Sequence, residues 1–415
     1  MKPMRILWVK LGGLWPLDRG GHLRSFHIIS ELSQDHRLSV VTTHWPGDDP
    51  RALRAQLPRC ERVVSFPHAS PKLGSARFAA ALAGSWVSPL PVDLWKWQVP
   101  ALRRAVARLL AVHQFDLCVA DFLMAIPNLT RPWAVPVLFF EHNVEHLIWR
   151  RLSETASHWW QRGLLEIEWR KMRRYEAAAC ADARLTVSVS KADRALLASL
   201  VPKATVCTIP TGVDTAYFAP NGAREVPARL VFTGSMEWYP NEDGILQFID
   251  AILPSIRREV PGASLTVVGR NPSARLRALA GEAGVRVTGT VDDVRPYMAE
   301  AAVYVVPLRV GGGTRLKIFE GLAMGKALVS TTVGAEGLPL VPGKHFLQAD
   351  EPAEFARAVV ALLRDPVRRK ALGAAGQCLV RARYSWAHVA REFATRCAEA
   401  LASHRSATMS GSTGP

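Results

Sequence analysis

Short β-branched runs alternate with longer helical patterns along nearly the whole chain, in two successive series. In the first, RILWV (5–9), LSVVTT (38–43), RVVSF (62–66), DLCVA (116–120), VPVLFF (135–140) and RLTVSV (184–189) read as strands. Several are almost continuously apolar, as parallel strands covered by helices on both faces should be. Helical patterns at 22–35 and 100–114 separate them. The second series is RLVFTG (229–234), SLTVVG (264–269), RVTGTV (286–291), AVYVVPL (302–308), ALVSTT (327–332) and HFLQA (345–349), with helical patterns at 241–259, 273–283, 314–325 and 353–363. Each series opens with a strand that runs into a polar, turn-rich loop and then a helix. The expected fold class is α/β, two Rossmann-like units in tandem.

At 415 residues the chain is longer than one hydrophobic core supports. The expected division is 1–205, 206–385, a helix over 386–404 that packs back on the first domain, and a disordered tail over 405–415. The Pro- and Gly-rich stretch near 205–228 is the expected linker. A net charge of +16 favours anionic partners: nucleotides, phosphorylated carriers, lipid headgroups or nucleic acid. The basic residues form no single run and no nucleic-acid module is present, so nucleic acid is not the expected partner. Six scattered cysteines, without a C-x-x-C pair, read as reduced thiols of a cytoplasmic protein. The opening MKPMRILWVKLGG reads as a first strand and not a signal peptide. No apolar run approaches the roughly 18 residues of a membrane span. The segment 158–179 is aromatic and basic, which fits a membrane-surface helix or an ordinary amphipathic one. Trp86, Trp95 and Trp97 are expected to be exposed.

The most informative segment is PLRVGGGTRLKIFEGLAMGKALVST, 307–331. A strand ends at Leu308, and Gly311, Gly312 and Gly313 let the backbone approach a ligand closely. A helix expected to begin near Thr314 presents first-turn N–H groups with the positive end of its dipole behind them. That arrangement suits a diphosphate. Arg315 and Lys317 add cationic side chains, and the Glu320 carboxylate can accept both hydroxyls of a ribose.

This segment resembles the donor-binding signature of glycosyltransferase family 4, whose GT-B fold sets two Rossmann-like domains facing across a cleft. Further matches follow in order over roughly residues 4–395. WPLDRGGHLRS (15–25) resembles the family's first glycine loop, with Gly20 and Gly21. FFEHNVE (139–145) resembles the segment whose histidine lies near the donor sugar, here His142. LTVSVSKADRALL (185–197) and IPTGVDTAYF (209–218) resemble the run into the interdomain linker. VFTGSMEWYPNEDGILQFI (231–249) resembles the opening of the second domain, with Gly234. The resemblance implies a retaining hexosyltransferase that uses a nucleoside-diphosphate sugar as co-substrate. His142, Arg315 and Lys317 are the implied catalytic residues. Gly20, Gly21, Gly234, Gly311, Gly312, Gly313, Thr314 and Glu320 are the implied donor-binding residues, and Ser190, Asn241, Arg270 and Glu336 are further candidates.

Two departures stand out. Many family members carry two glutamates separated by seven residues, and counting back from Glu320 the earlier position is Gly312. Many also carry an Arg…Lys pair after the first strand of the second domain, where this chain has Ser235, Met236 and Pro240. No D-x-D motif occurs, so no metal is expected and the leaving diphosphate falls to cations and helix N–H groups. The expected acceptor is a glycan or a lipid-linked glycan, in polysaccharide or glycoconjugate synthesis, with an anionic membrane surface as a further candidate partner. Expected localisation is cytoplasmic, or peripheral on the inner face of the plasma membrane. A nucleotide-sugar epimerase and a non-catalytic nucleotide- or nucleic-acid-binding protein remain as alternative readings.

Overall fold

The computed structural model describes residues 2–17, 20–281, 284–311 and 315–410, with side chains as far as 402. Gly312, Gly313 and Thr314 lie outside the described residues. The chain divides into two compact units, Met1–Pro210 with Val389–Pro415, and Thr211–His388.

The first unit holds a seven-stranded parallel sheet of β1 (Arg5–Lys10), β2 (Arg37–His44), β3 (Arg62–Pro67), β4 (Leu117–Asp121), β5 (Val137–Phe140), β6 (Leu185–Ser188) and β7 (Val206–Thr208), in the order β3-β2-β1-β4-β5-β6-β7. Trp8 is fully buried, edge-on to Phe140 at 6.2 Å and 5.4 Å from Phe393. Phe393 comes from the helix Trp386–Ser410, whose Val389, Phe393 and Cys397 are all buried. The last helix therefore completes the core around the first strand.

The second unit repeats the plan with β8 (Arg229–Thr233), β9 (Ser264–Val268), β10 (Val285–Val287), β11 (Val303–Val306), β12 (Ala327–Ser330) and β13 (Leu347–Gln348). Its order is β10-β9-β8-β11-β12-β13, again all parallel. In both sheets the winding direction reverses between the first and fourth strands. Loops diverge there, and the crevice beyond the carboxyl ends of those strands is where such sheets take ligands.

Four local expectations need correction. Residues 206–208, read as linker, are an edge strand; three residues are too few to show a period. The helix expected over 241–259 is Tyr239–Gln247, a wider turn at Phe248–Ile252, then Leu253–Glu259. Pro254 cannot donate into the helical ladder, so the ladder loosens just ahead of it. The strand expected over 286–291 stops at Val287, before Gly289 turns at φ +71°. Trp95 and Trp97 are partly buried: Trp97 lies 4.8 Å from the His68 ring, and a Cβ on Gly84 would collide with Trp95. Trp86 is exposed.

Among the described residues no helix is long and apolar enough to cross a membrane. All six cysteines are unbridged, with Cys60, Cys118, Cys180 and Cys397 buried.

Candidate functional site

In the second unit the carboxyl ends of β8 and β11 carry the charged cluster. β8 ends at Thr233 and the chain turns at Gly234, whose φ is +155°. A Cβ at Gly234 would stand 2.6 Å from Lys317 Nζ and 2.7 Å from Asn241 Nδ2, so glycine is what lets those side chains reach the strand end. Gly269, at the end of β9, is pressed harder still. Its Cβ would fall 1.7 Å from the Gly234 carbonyl oxygen. Lys317 Nζ donates to Asn241 Oδ1 at 2.5 Å and sits 4.2 Å from the Phe232 ring centroid. Asn241 in turn donates to the Ser235 carbonyl at 2.7 Å, which fixes the turn.

Lys317 and Glu320 belong to the helix Leu316–Ala323, which follows the glycine loop. Sequence placed its start near Thr314; it begins two residues later. The three-residue spacing stacks both side chains on one helix face. Burial pushes the Lys317 ammonium down to about 7; Glu320 opposes that shift and Arg315 adds to it. Burial pushes the Glu320 carboxyl up to about 7, against the pull of Lys317. Arg315, just before the helix, is buried with its guanidinium 5.1 Å from the Trp238 ring centroid. Gly311, at φ +127°, keeps that stack possible: a Cβ there would meet Trp238 at 3.0 Å and the Arg315 guanidinium at 3.2 Å.

A second cluster stands at the corresponding place in the first unit. β1 and β4 end side by side in register at Lys10 and Asp121, both fully buried. Lys10 Nζ lies 3.4 Å from Asp121 Oδ1, and Trp8 Nε1 donates to Asp121 Oδ2 at 2.8 Å. His142 Nε2 lies 2.9 Å from Asp121 Oδ1, while Arg24 contacts His142 Nδ1 at 2.8 Å. A guanidinium can only donate, so Nδ1 accepts and the ring proton sits on Nε2. Burial pushes the His142 ring down to about 3; Asp121 opposes this and Arg24 reinforces it, so the imidazole is neutral. Burial alone would raise the Asp121 carboxyl, but Lys10 and then His142 hold it well below the usual range. Phe122 closes the cluster in a left-handed backbone conformation, φ +69°, that a bulky residue adopts only when its surroundings enforce it. Its ring stacks on His142 at 3.8 Å and lies 4.1 Å below Lys10 Nζ. A Cβ on Gly21 would come within 2.9 Å of that ring.

The structure thus gathers Gly234, Asn241, Lys317 and Glu320 in the second unit, with Arg315 and Gly311 joined through Trp238. It gathers Gly21 and His142 in the first. Gly20 opens the helix Gly20–Asp35 with no atom near its missing Cβ. Ser190 caps the helix Lys191–Leu200, accepting from Asp193 N at 3.0 Å and donating to the Asp193 carboxylate at 2.6 Å. Arg270 donates to Ser235 Oγ at 3.2 Å and pairs with Glu237 at 3.7 Å, half exposed. Glu336 is exposed, and its charge acts on Arg315. Sequence reading missed Lys10, Asp121, Arg24, Phe122 and Trp238. The signal for Lys10 and Asp121 was present, since each is a charged residue that closes its strand at the ligand end directly after four apolar residues.

Two parallel Rossmann-like sheets of the same winding order define the GT-B class. Comparison with known proteins agrees. The sucrose-phosphate synthase of Thermosynechococcus elongatus superposes with a TM-score of 0.67 over 96% of this chain and 100% of its own, at 16% identity. Family models match both units: "Glycosyltransferase Family 4" over residues 20–217 and "Glycosyl transferases group 1" over residues 227–365. This chain is a glycosyltransferase family 4 protein of the group 1 type. A phosphatidyl-myo-inositol mannosyltransferase of Mycobacterium leprae is 32% identical over 44% of this chain and 51% of its own. A GDP-mannose-dependent alpha-(1-6)-phosphatidylinositol monomannoside mannosyltransferase of Mycobacterium tuberculosis is 31% identical over 46% of this chain and 56% of its own. The chain spans about half the length of the curated relatives it matches.

Proposed function

We propose that the protein transfers a hexose-type sugar, mannose foremost, from a nucleoside-diphosphate sugar to a glycan or lipid-linked acceptor, with retention at the anomeric carbon. The observation that carries this reading is the Lys317–Asn241–Gly234 contact with Glu320 one helical turn away, at the carboxyl ends of β8 and β11. Glu320 accepts the ribose hydroxyls, and Lys317 with Arg315 takes the charge that grows on the departing diphosphate. Front-face attack by the acceptor hydroxyl, its proton passing to the leaving phosphate, needs no protein nucleophile. His142 acts through its fixed, neutral imidazole in the first unit. The relatives named above make GDP-mannose the first donor to try.

Calorimetric titration with GDP, UDP and ADP tests this. GDP is expected to bind, and Glu320→Ala to weaken it by about 1.5–3 kcal/mol through loss of charge-assisted hydrogen bonds. Adding EDTA should change nothing, because the cationic side chains serve in place of a metal. Failure of the folded protein to bind any of the three nucleotides would overturn the reading.

The pH dependence follows from the same pair. Lys317 titrates near 7 and is neutral above it, so binding an anionic diphosphate at higher pH must take up a proton. Glu320, raised to about 7, loses its carboxylate charge below that value. Affinity for the nucleotide sugar is therefore expected to peak near neutrality and fall on both sides. A flat profile between pH 5.5 and 8.5 (about 1.5 units either side of these two groups) would rule out the pair as donor contacts.

The proposed setting is cytoplasmic, peripheral on an anionic membrane face. The net charge of +16 supports it.

A further inference from the structure

The helix Trp159–Asp182 sorts its charges by side. Glu168 and Glu176 are buried: Glu168 accepts from Val92 N at 2.6 Å, and Glu176 accepts from Glu145 N at 2.7 Å and engages the His146 ring. Arg162, Arg170, Arg173 and Arg174 point outward and exposed. A groove of about 650 Å³ runs along the same helix, walled by Leu164, Ile167, Tyr175 and Ala178 on one side and by Trp86 and Pro89 on the other. Lys171 donates to the Ser85 carbonyl at 2.7 Å and clamps the two walls, and Arg174 stands on the groove edge.

The face that lines the groove continues beyond it. Trp160, Leu164, Ile167, Lys171, Arg174 and Ala178 recur at alternating spacings of four and three, one face of an α-helix that is apolar over its first half and carries two cations in its second. Trp160, half exposed, extends that face to the helix start, and Trp159 beside it is 86% exposed. Ile167, Trp86 and Val87 are exposed as well. Apolar groups this open, beside four exposed arginines of which Arg170 pairs with Glu166 at 2.8 Å, have the chemistry of a surface that meets anionic lipid.

We propose that this face of the first unit seats on an anionic phospholipid bilayer, with Trp159 and Trp160 at headgroup depth and one acyl chain in the Trp86–Ile167 groove. The arginines select the occupant: they meet lipid phosphates, whereas a second copy of the same basic face would be repelled. This deepens the lipid-linked acceptor reading given above and rests on it only for the identity of the sugar chemistry.

Flotation tests it, using vesicles of phosphatidylcholine with one part in about three phosphatidylglycerol, a content at which each nearby basic residue contributes measurably. Wild type is expected to float with these vesicles at physiological salt and to stay down with pure phosphatidylcholine. Trp160→Asp and Ile167→Asp, both at exposed positions, should each lower partitioning by at least about tenfold. Brominated acyl chains should quench tryptophan fluorescence of wild type on the anionic vesicles. Wild type that stays down, variants that float like wild type, or concentration-dependent dimerisation abolished by Ile167→Asp would each overturn the proposal. GDP titration of the same variants separates the two readings. Normal nucleotide binding without flotation defeats the membrane seat alone, and flotation without nucleotide binding defeats the transferase reading alone.

Discussion

Lys317→Met is expected to lower kcat by about 10²–10³-fold, the usual loss when one preorganised charge at a leaving group is removed. Lys317 Nζ reaches the end of β8 through a gap that exists only because residue 234 is glycine, and no second lysine approaches that point among the described contacts. The same change should stabilise the fold. A lysine titrating near 7 in the folded chain and near 10.4 in the unfolded one carries a penalty that is fully present below about pH 7 and fades as pH rises toward 10. Methionine keeps the packing against Phe232 without that penalty. Thermal melts of the variant and wild type should therefore differ most at pH 7 and below, with the variant higher. Loss of activity together with a lower melting temperature at pH 6.5 would mean that Lys317 is structural.

Gly234→Ala is the second large effect. The backbone there is left-handed, so alanine adds strain of about 1–3 kcal/mol. Its methyl group would also displace Lys317 Nζ or Asn241 Nδ2. The lysine end can swing aside; Asn241 cannot without releasing the Ser235 carbonyl. Nucleotide affinity is expected to drop by at least about tenfold while the protein stays folded, since the strain is well below a typical domain stability. Urea melts and calorimetry on the same sample distinguish the two losses. Unchanged affinity would place the diphosphate elsewhere.

The two-unit α/β plan was legible because buried parallel strands are apolar runs that need no partner to be recognised. The strand β7 was not, because three residues carry no period. In the second unit, Lys317, Glu320 and Gly311 could be picked out, since a glycine run followed by charged residues has few structural uses. The first-unit cluster was half legible. His142 and Gly21 were named from resemblance, but the partners that make His142 neutral come from residues 10, 24 and 121. The pairing of β1 with β4 sets Lys10 beside Asp121, and the helix Gly20–Asp35 brings in Arg24. Trp238 was hidden for the same reason: its role depends on a stack with Arg315, 77 positions later. Ser190 shows the converse, a plausible site residue that turns out to be occupied as a helix cap.

The helix Trp386–Ser410 gives the chain an unusual order of assembly. Trp8 and Phe140 are synthesised before the second unit, yet Phe393, which covers them, is synthesised after it. The entire second unit is synthesised in between. The first sheet must wait with an open aromatic face, so its completion is a checkpoint on both units: a product broken off before the helix Trp386–Ser410 carries an exposed tryptophan and phenylalanine. Such surfaces are what chaperones and proteases recognise in unfinished proteins.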